Sequence, residues 1–114
     1  VVAVMRIDAV WLAVEPLARR AGTETALARV SRVFGEARAH HAYLFANRRA
    51  NRIKLLLQDG FGIWLCARRL HEGRFIWTSP ESESRLMISH EQLQALVIGL
   101  PWCRIGAHST IRVA

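Results

Sequence analysis

Lysine is almost missing from this sequence: Lys54 stands alone beside 15 arginines among the 16 basic residues. Cysteine is scarce too, with only Cys66 and Cys103 and no C-x-x-C spacing. That excludes a disulfide framework and a cysteine-based zinc site, and fits two free thiols in a reducing cytoplasm. No apolar run is long enough to span a membrane, because Arg6 and Asp8 interrupt the opening VVAVMRIDAVWLAV. The same charges argue against a signal peptide. Met5 is a candidate start, which would make Val1 to Val4 an upstream extension without structural role. No internal repeat and no low-complexity block is present.

Catalytic patterns are also lacking. The nine acids are Asp8, Glu15, Glu24, Glu36, Asp59, Glu72, Glu81, Glu83 and Glu91. None falls in the middle of an apolar strand, where a two-metal nuclease or transposase gathers its carboxylates. Gly60-Phe61-Gly62 reads as a hairpin feature and not as a phosphate-binding loop. His40 and His41 are adjacent, so in extended chain they point to opposite sides, and no Cys, His or Asp cluster accompanies them. The expectation is a protein that is not an enzyme and uses no metal or cofactor.

What is present is a hydrophobic, basic domain. At 114 residues the chain is a single domain, 1–114, and 52% hydrophobic content allows a core without staples. The formal net charge is +7 and the pI near 11.2. Such a balance favours a nucleic-acid partner over an acidic protein or a membrane surface. Arginine in place of lysine suits bidentate contact with phosphate, and it equally suits a GC-rich coding sequence.

Along the chain, Ala9 to Val14 reads as a buried strand ended by Pro16. Arg19 and Arg20 lie in an exposed connector. Thr23 is placed to cap a helix from Glu24 to Phe34, with an apolar stripe of Ala26, Leu27, Val30, Val33 and Phe34 and a stop at Gly35. Arg29 and Arg32 fall on its solvated side. Near the other end, Ser89 and Gln92 make a capping box for a second helix with Leu93, Leu96, Val97 and Leu100 on its stripe. Gly99 and Pro101 end it, and Trp102 packs back on the core. Arg104 to Ala114 is weakly patterned and reads as either a final strand or a loose tail.

The middle of the chain, Ala42 to Trp77, reads as a meander. Strands at Ala42 to Asn47 and Arg52 to Gln58 flank a turn at Arg48-Arg49. Ile53, Leu55 and Leu57 share one face by period two, which sets Arg52 and Lys54 on the other. Asp59-Gly60 is a tight-turn signal. Phe61 to Leu70 is the next strand, and Arg74 to Trp77 pairs back after the His71-Glu72-Gly73 turn. Arg85 to Ile88 is a short further strand. Trp64 and Arg68 are expected to share the face of Arg52 and Lys54, making an aromatic beside arginines; the alternative is a Trp64 buried in the core. The fold class is α+β: an antiparallel meander sheet of about five strands with two helices packed on it.

The same stretch resembles a known family. Phe45, Asn47, Arg48 and Arg49, then Lys54-Leu55-Leu56, Asp59 and Gly62, Arg68-Arg69-Leu70, and Gly73-Arg74-Phe75 with Trp77 match the central pattern of a small accessory protein. It is TnpB, the second open reading frame product of IS-66 family insertion sequences. The resemblance runs from about Met5 to Trp102. It departs in two places: Ala18-Arg19-Arg20 stands where the family has Asp-Met-Arg, and Trp77-Thr78 where it has Trp-Pro. The resemblance implies a role in transposition beside the transposase and the other proteins of the same element.

Together these readings predict a cytoplasmic, non-enzymatic accessory factor in DNA transposition that binds DNA through Arg48, Arg49, Arg52 and Lys54, with Arg68, Arg69 and Arg74 in support. The alternative is a module that docks the transposase without touching DNA. No membrane partner is expected.

Overall fold

The computed structural model describes residues 5–78 and 84–105. Five strands form one sheet in the spatial order β4-β3-β2-β1-β5: β1 (Ala9–Ala13), β2 (His41–Ala46), β3 (Arg52–Gln58), β4 (Ile63–Arg69) and β5 (Arg85–Ile88). Two helices, α1 (Thr23–Phe34) and α2 (His90–Val97), and a 3-10 turn at Trp102–Arg104 complete the domain.

The sheet is mixed, which corrects the antiparallel meander. β2, β3 and β4 do run as consecutive antiparallel hairpins. However, β1 pairs with β2 in parallel, in the register Ala9 with His41 to Leu12 with Leu44. Neighbouring parallel strands need a crossover, and α1 in the connection between them supplies it. β5 closes the other edge antiparallel to β1.

Period two then splits the core into two layers. Val10, Leu12, Ala42, Leu44, Ile53, Leu55 and Leu57 point toward α2, where Leu93, Leu96, Phe75 and Trp102 meet them. Tyr43, Phe45 and Leu56 point toward α1 and pack on Leu17, Ala26 and Val30. A five-strand sheet with both faces covered explains why β2 is buried along nearly its whole length.

Local chemistry sets the helix ends. Ser89 and Gln92 form the reciprocal capping box of α2, with the Ser89 side chain accepting from the Gln92 N–H at 3.1 Å and the Ser89 N–H donating to Gln92 Oε1 at 2.9 Å. α1 differs from expectation at its start. Gly22 occupies the cap position without a side-chain bond, and Thr23 is already helical. Its end is as read: Gly35 takes φ +94, a left-handed conformation that glycine tolerates, and its N–H reaches Ser31 O at 3.0 Å.

Arg74 to Trp77 is not a strand, another departure from the meander. Phe75 is buried in the α2 layer, its N–H bonded to Ala50 O at 2.7 Å. Trp77 Nε1 donates to Ala13 O at 3.1 Å and Trp102 Nε1 to Ile76 O at 2.6 Å. Aromatic anchoring draws this segment away from the edge, so among the described residues no return strand lies outside β4. The proposed loop at Thr78 to Ser84 and the C-terminal tail fall largely outside the described residues.

Candidate nucleic-acid interface

The turn between β2 and β3 is built on Asn47. Its main-chain carbonyl accepts from the Ala50 N–H at 2.9 Å, closing a β-turn over Arg48 and Arg49. Its side-chain Oδ1 accepts from the N–H groups of Asn51 and Arg52 at 3.1 and 3.0 Å, and its Nδ2 donates to Asn51 Oδ1 at 2.7 Å. Ala50 completes the turn at φ 57. A left-handed conformation costs a residue with a Cβ about 1–2 kcal/mol, and only a well-tied turn sustains it. The ties run outward as well: Ala50 O accepts from Phe75 N–H and Asn51 O from Leu70 N–H at 3.1 Å. Arg48 and Arg49 thus project from a fixed tip.

Around that tip lies a concave site of about 550 Å³ lined by Ala18, Arg19, Asn47, Arg48, Arg49, Asn51, Arg52 and Arg69. Five of the eight lining residues are arginines and none is acidic. Arg52 and Arg69 face each other across the β3–β4 ladder, two like charges side by side. Such a pair is unfavourable unless an anion or solvent screens it. Among the described residues, the ion pairs involve Arg6, Arg29, Arg32 and Arg38 only. Among those residues the cradle arginines have no carboxylate partner.

Lys54 sits apart from this group. Its Nζ donates to Arg19 O at 2.6 Å and also to Ala21 O, so the ammonium pins the 17–21 connector onto β3. Burial, and secondarily the nearby Arg52 charge, lower its pKa from the ordinary lysine value. Position two along β3 places Arg52 and Lys54 on the α1 side, as the alternation required, but only Arg52 opens into the cradle.

The expected grouping of Trp64 and Arg68 with Arg52 and Lys54 does not occur. Trp64 pairs with Leu57 and Arg68 with Ile53, which puts both on the α2 side. Cross-strand partners in an antiparallel ladder point the same way, so the register decides the matter. Arg68 Nε donates to Val97 O at 2.7 Å, supplying a cation at the C-terminal end of α2, where the last turn has no basic residue of its own. Trp64 is half-exposed and its Nε1 donates to Asp59 Oδ2 at 3.2 Å. Arg74 is exposed and lies outside the cradle lining, its carbonyl close to Gly99.

Arg29 and Arg32 hold the Glu15-Pro16 turn. Arg29 Nη1 donates to Pro16 O at 2.9 Å and Arg32 Nη2 to Glu15 Oε1 at 2.7 Å. Two cradle residues went unnoticed as such in the sequence: Arg19, which reads as plain connector, and Asn51, which has no motif. Long-range bonds, from Lys54 to Arg19 O and Ala21 O and from the Leu17 N–H to Ala46 O, bring Arg19 beside the hairpin tip.

No group of three or more His, Cys, Asp or Glu able to hold a metal occurs among the described residues. No helix among them is long and apolar enough to cross a membrane.

Fold and site define a small α+β domain with an arginine-lined concavity at one end of its sheet. The chain belongs to the family described as IS66 Orf2 like protein, whose model matches residues 8–107. It is similar to two proteins of Sinorhizobium fredii (strain NBRC 101917 / NGR234). The uncharacterized protein y4hO is 32% identical over 94 residues, covering 82% of this chain and 81% of that one. The uncharacterized protein y4jC is 29% identical over 97 residues, covering 84% and 82%. No solved structure matches the chain. Family membership gives the protein an accessory role associated with an insertion sequence. Ala18, one of the two places where the chain departs from the family resemblance, lines the cradle.

Proposed function

We propose that the protein is a non-enzymatic accessory factor in transposition that holds DNA by its phosphates in the arginine cradle. The single observation that carries this reading is the convergence of Arg19, Arg48, Arg49, Arg52 and Arg69 on one acid-free concavity. Guanidinium groups match phosphate oxygens bidentately and remain charged at any physiological pH. Phosphate contact fixes a protein on the duplex without reading sequence, so binding would be weakly sequence-specific and strongly salt-dependent. The element's transposase is the natural protein partner, acting on the DNA that this domain positions.

The test is fluorescence anisotropy with labelled DNA from an element end and with unrelated DNA of equal length. Wild type should bind both, and an Arg48→Ala, Arg49→Ala, Arg52→Ala variant should lose most of that affinity while keeping its circular dichroism. Absence of binding at low salt, or a folded variant that binds as wild type, contradicts the reading. Normal DNA binding by the variant with loss of transposase co-purification would instead favour docking of an acidic protein surface.

A further inference from the structure

We propose that the outer edge of β4 pairs, antiparallel and about a two-fold axis through Cys66, with β4 of a second copy of this chain.

β4 is the last strand of the sheet, and all seven of its residues pair with β3 on the inner side. Among the described residues no strand covers its outer side, so alternate N–H and C=O groups point outward along its length. Sheet edges of this kind are usually guarded by proline, charged side chains, a bulge or brevity. β4 has no proline, its register with β3 is unbroken, it is longer than the four-residue edge strand β5, and its two charges, Arg68 and Arg69, are confined to one end. Ile63 and Trp64 are 40% and 46% exposed there, and Phe61 before them is fully exposed.

The distribution of charge selects the occupant. The strand from Ile63 to Arg69 is centred on Cys66, with its apolar residues at one end and Arg68 and Arg69 at the other. Antiparallel pairing about Cys66 sets Ile63 opposite the second copy's Arg69, Trp64 opposite its Arg68, and Leu65 opposite its Ala67. Every arginine then meets an apolar or aromatic side chain, and each Trp64 gains a cation over its ring. A parallel in-register pair would instead stack Arg68 on Arg68 and Arg69 on Arg69. The strand is therefore complementary to itself in one orientation, and that register uses all seven residues.

A two-fold axis of this type is perpendicular to the sheet. Both copies then carry α1 and the arginine cradle on the same side of one continuous sheet. With a rise of about 3.4 Å per residue, the two Arg69 positions stand about 20 Å apart along the strand direction. The pairing does not depend on what the cradle binds.

The experiment uses the full chain carrying Cys103→Ser, so that Cys66 is the remaining thiol. Light scattering is recorded at rising protein concentration and at physiological ionic strength, where directly opposed charges across the strand pair still act on one another. The predicted result is a dimer that mild oxidation locks covalently through Cys66. Trp64→Lys, which opposes a lysine to Arg68, should give a monomer, whereas Trp64→Glu should remain dimeric. If Trp64→Lys does not fold, Ile63→Lys, opposite Arg69, makes the same test. A monomer at every concentration overturns the proposal. So does a dimer that forms no Cys66 link, or one indifferent to the lysine substitutions. A monomer that pairs only when another protein is added counts equally against it.

Discussion

The ammonium of Lys54 on β3 donates to the main-chain carbonyl of Arg19 at 2.6 Å, across 35 positions of sequence. Together with the bonds from Lys54 to Ala21 O and from the Leu17 N–H to Ala46 O, it joins the connector before α1 to the hairpin that displays Arg48 and Arg49. It makes Lys54 a positioning residue for the cradle. Lys54→Met should lower stability by about 1 kcal/mol, the net worth of a typical hydrogen bond, because one acceptor is exposed and the other only part-buried. Its effect on the salt slope of DNA binding should stay below about one, because at most the Arg19 contact is disturbed. Chemical denaturation and anisotropy on the same protein separate the two effects.

Asn47 ties the tip without contributing charge. Asn47→Ala removes three side-chain hydrogen bonds. It should cost about 1–3 kcal/mol of stability and weaken DNA binding although every arginine remains. Asn47→Asp keeps the acceptor for the Asn51 and Arg52 N–H groups and should fold nearly as well. Because it places a carboxylate in the cradle, it should weaken binding more than its stability change explains. Thermal melts beside titrations decide this.

How far the sequence reached can be judged at these residues. The Asp59 turn, the α2 capping box and the buried alternation of Ile53, Leu55 and Leu57 were legible, because each is encoded within a few neighbouring positions. The parallel pairing of β1 with β2 was not read, although a strand, helix and strand in succession is the pattern that produces it. Phe75 and Trp77 alternate like a strand, yet each is drawn inward by partners distant in sequence, Ala50 and Ala13. Arg48, Arg49 and Arg52 stood out as a cluster. Arg19 joins them through tertiary bonds from Lys54 that no local pattern announces, and Arg68 leaves them because the register sets it opposite Ile53 on the α2 side, where it bonds Val97 O.

Ala18 is a natural place to reverse the cradle's chemistry. Ala18→Asp would place a carboxylate in a site lined by five arginines. The expected outcome is little change in stability, weaker DNA binding, and a salt slope reduced by about 0.9 as one arginine is taken out of phosphate contact. Unchanged affinity would remove the lining at Ala18 from the binding surface.

Asp59 carries a pH signature. The N–H groups of Phe61 and Gly62 donate to its Oδ1 at 2.8 and 2.9 Å and the Trp64 indole donates to Oδ2, which together hold its pKa below the ordinary aspartate value. A carboxyl depressed in the folded state stabilises the fold above its unfolded pKa of about 3.9 and loses that contribution as pH falls through the lower folded value. An NMR titration should place the Asp59 midpoint below that of a model peptide, with the Phe61 and Gly62 amides shifting together. Asp59→Asn should flatten this acid response.

The most direct test of the cradle is the slope of log affinity against log salt for a DNA duplex. Five arginine–phosphate contacts predict about −4.5 for wild type and about −1.8 once Arg48, Arg49 and Arg52 are alanine. A slope near zero in wild type, or the same slope in both proteins, would contradict the assignment of these arginines to DNA.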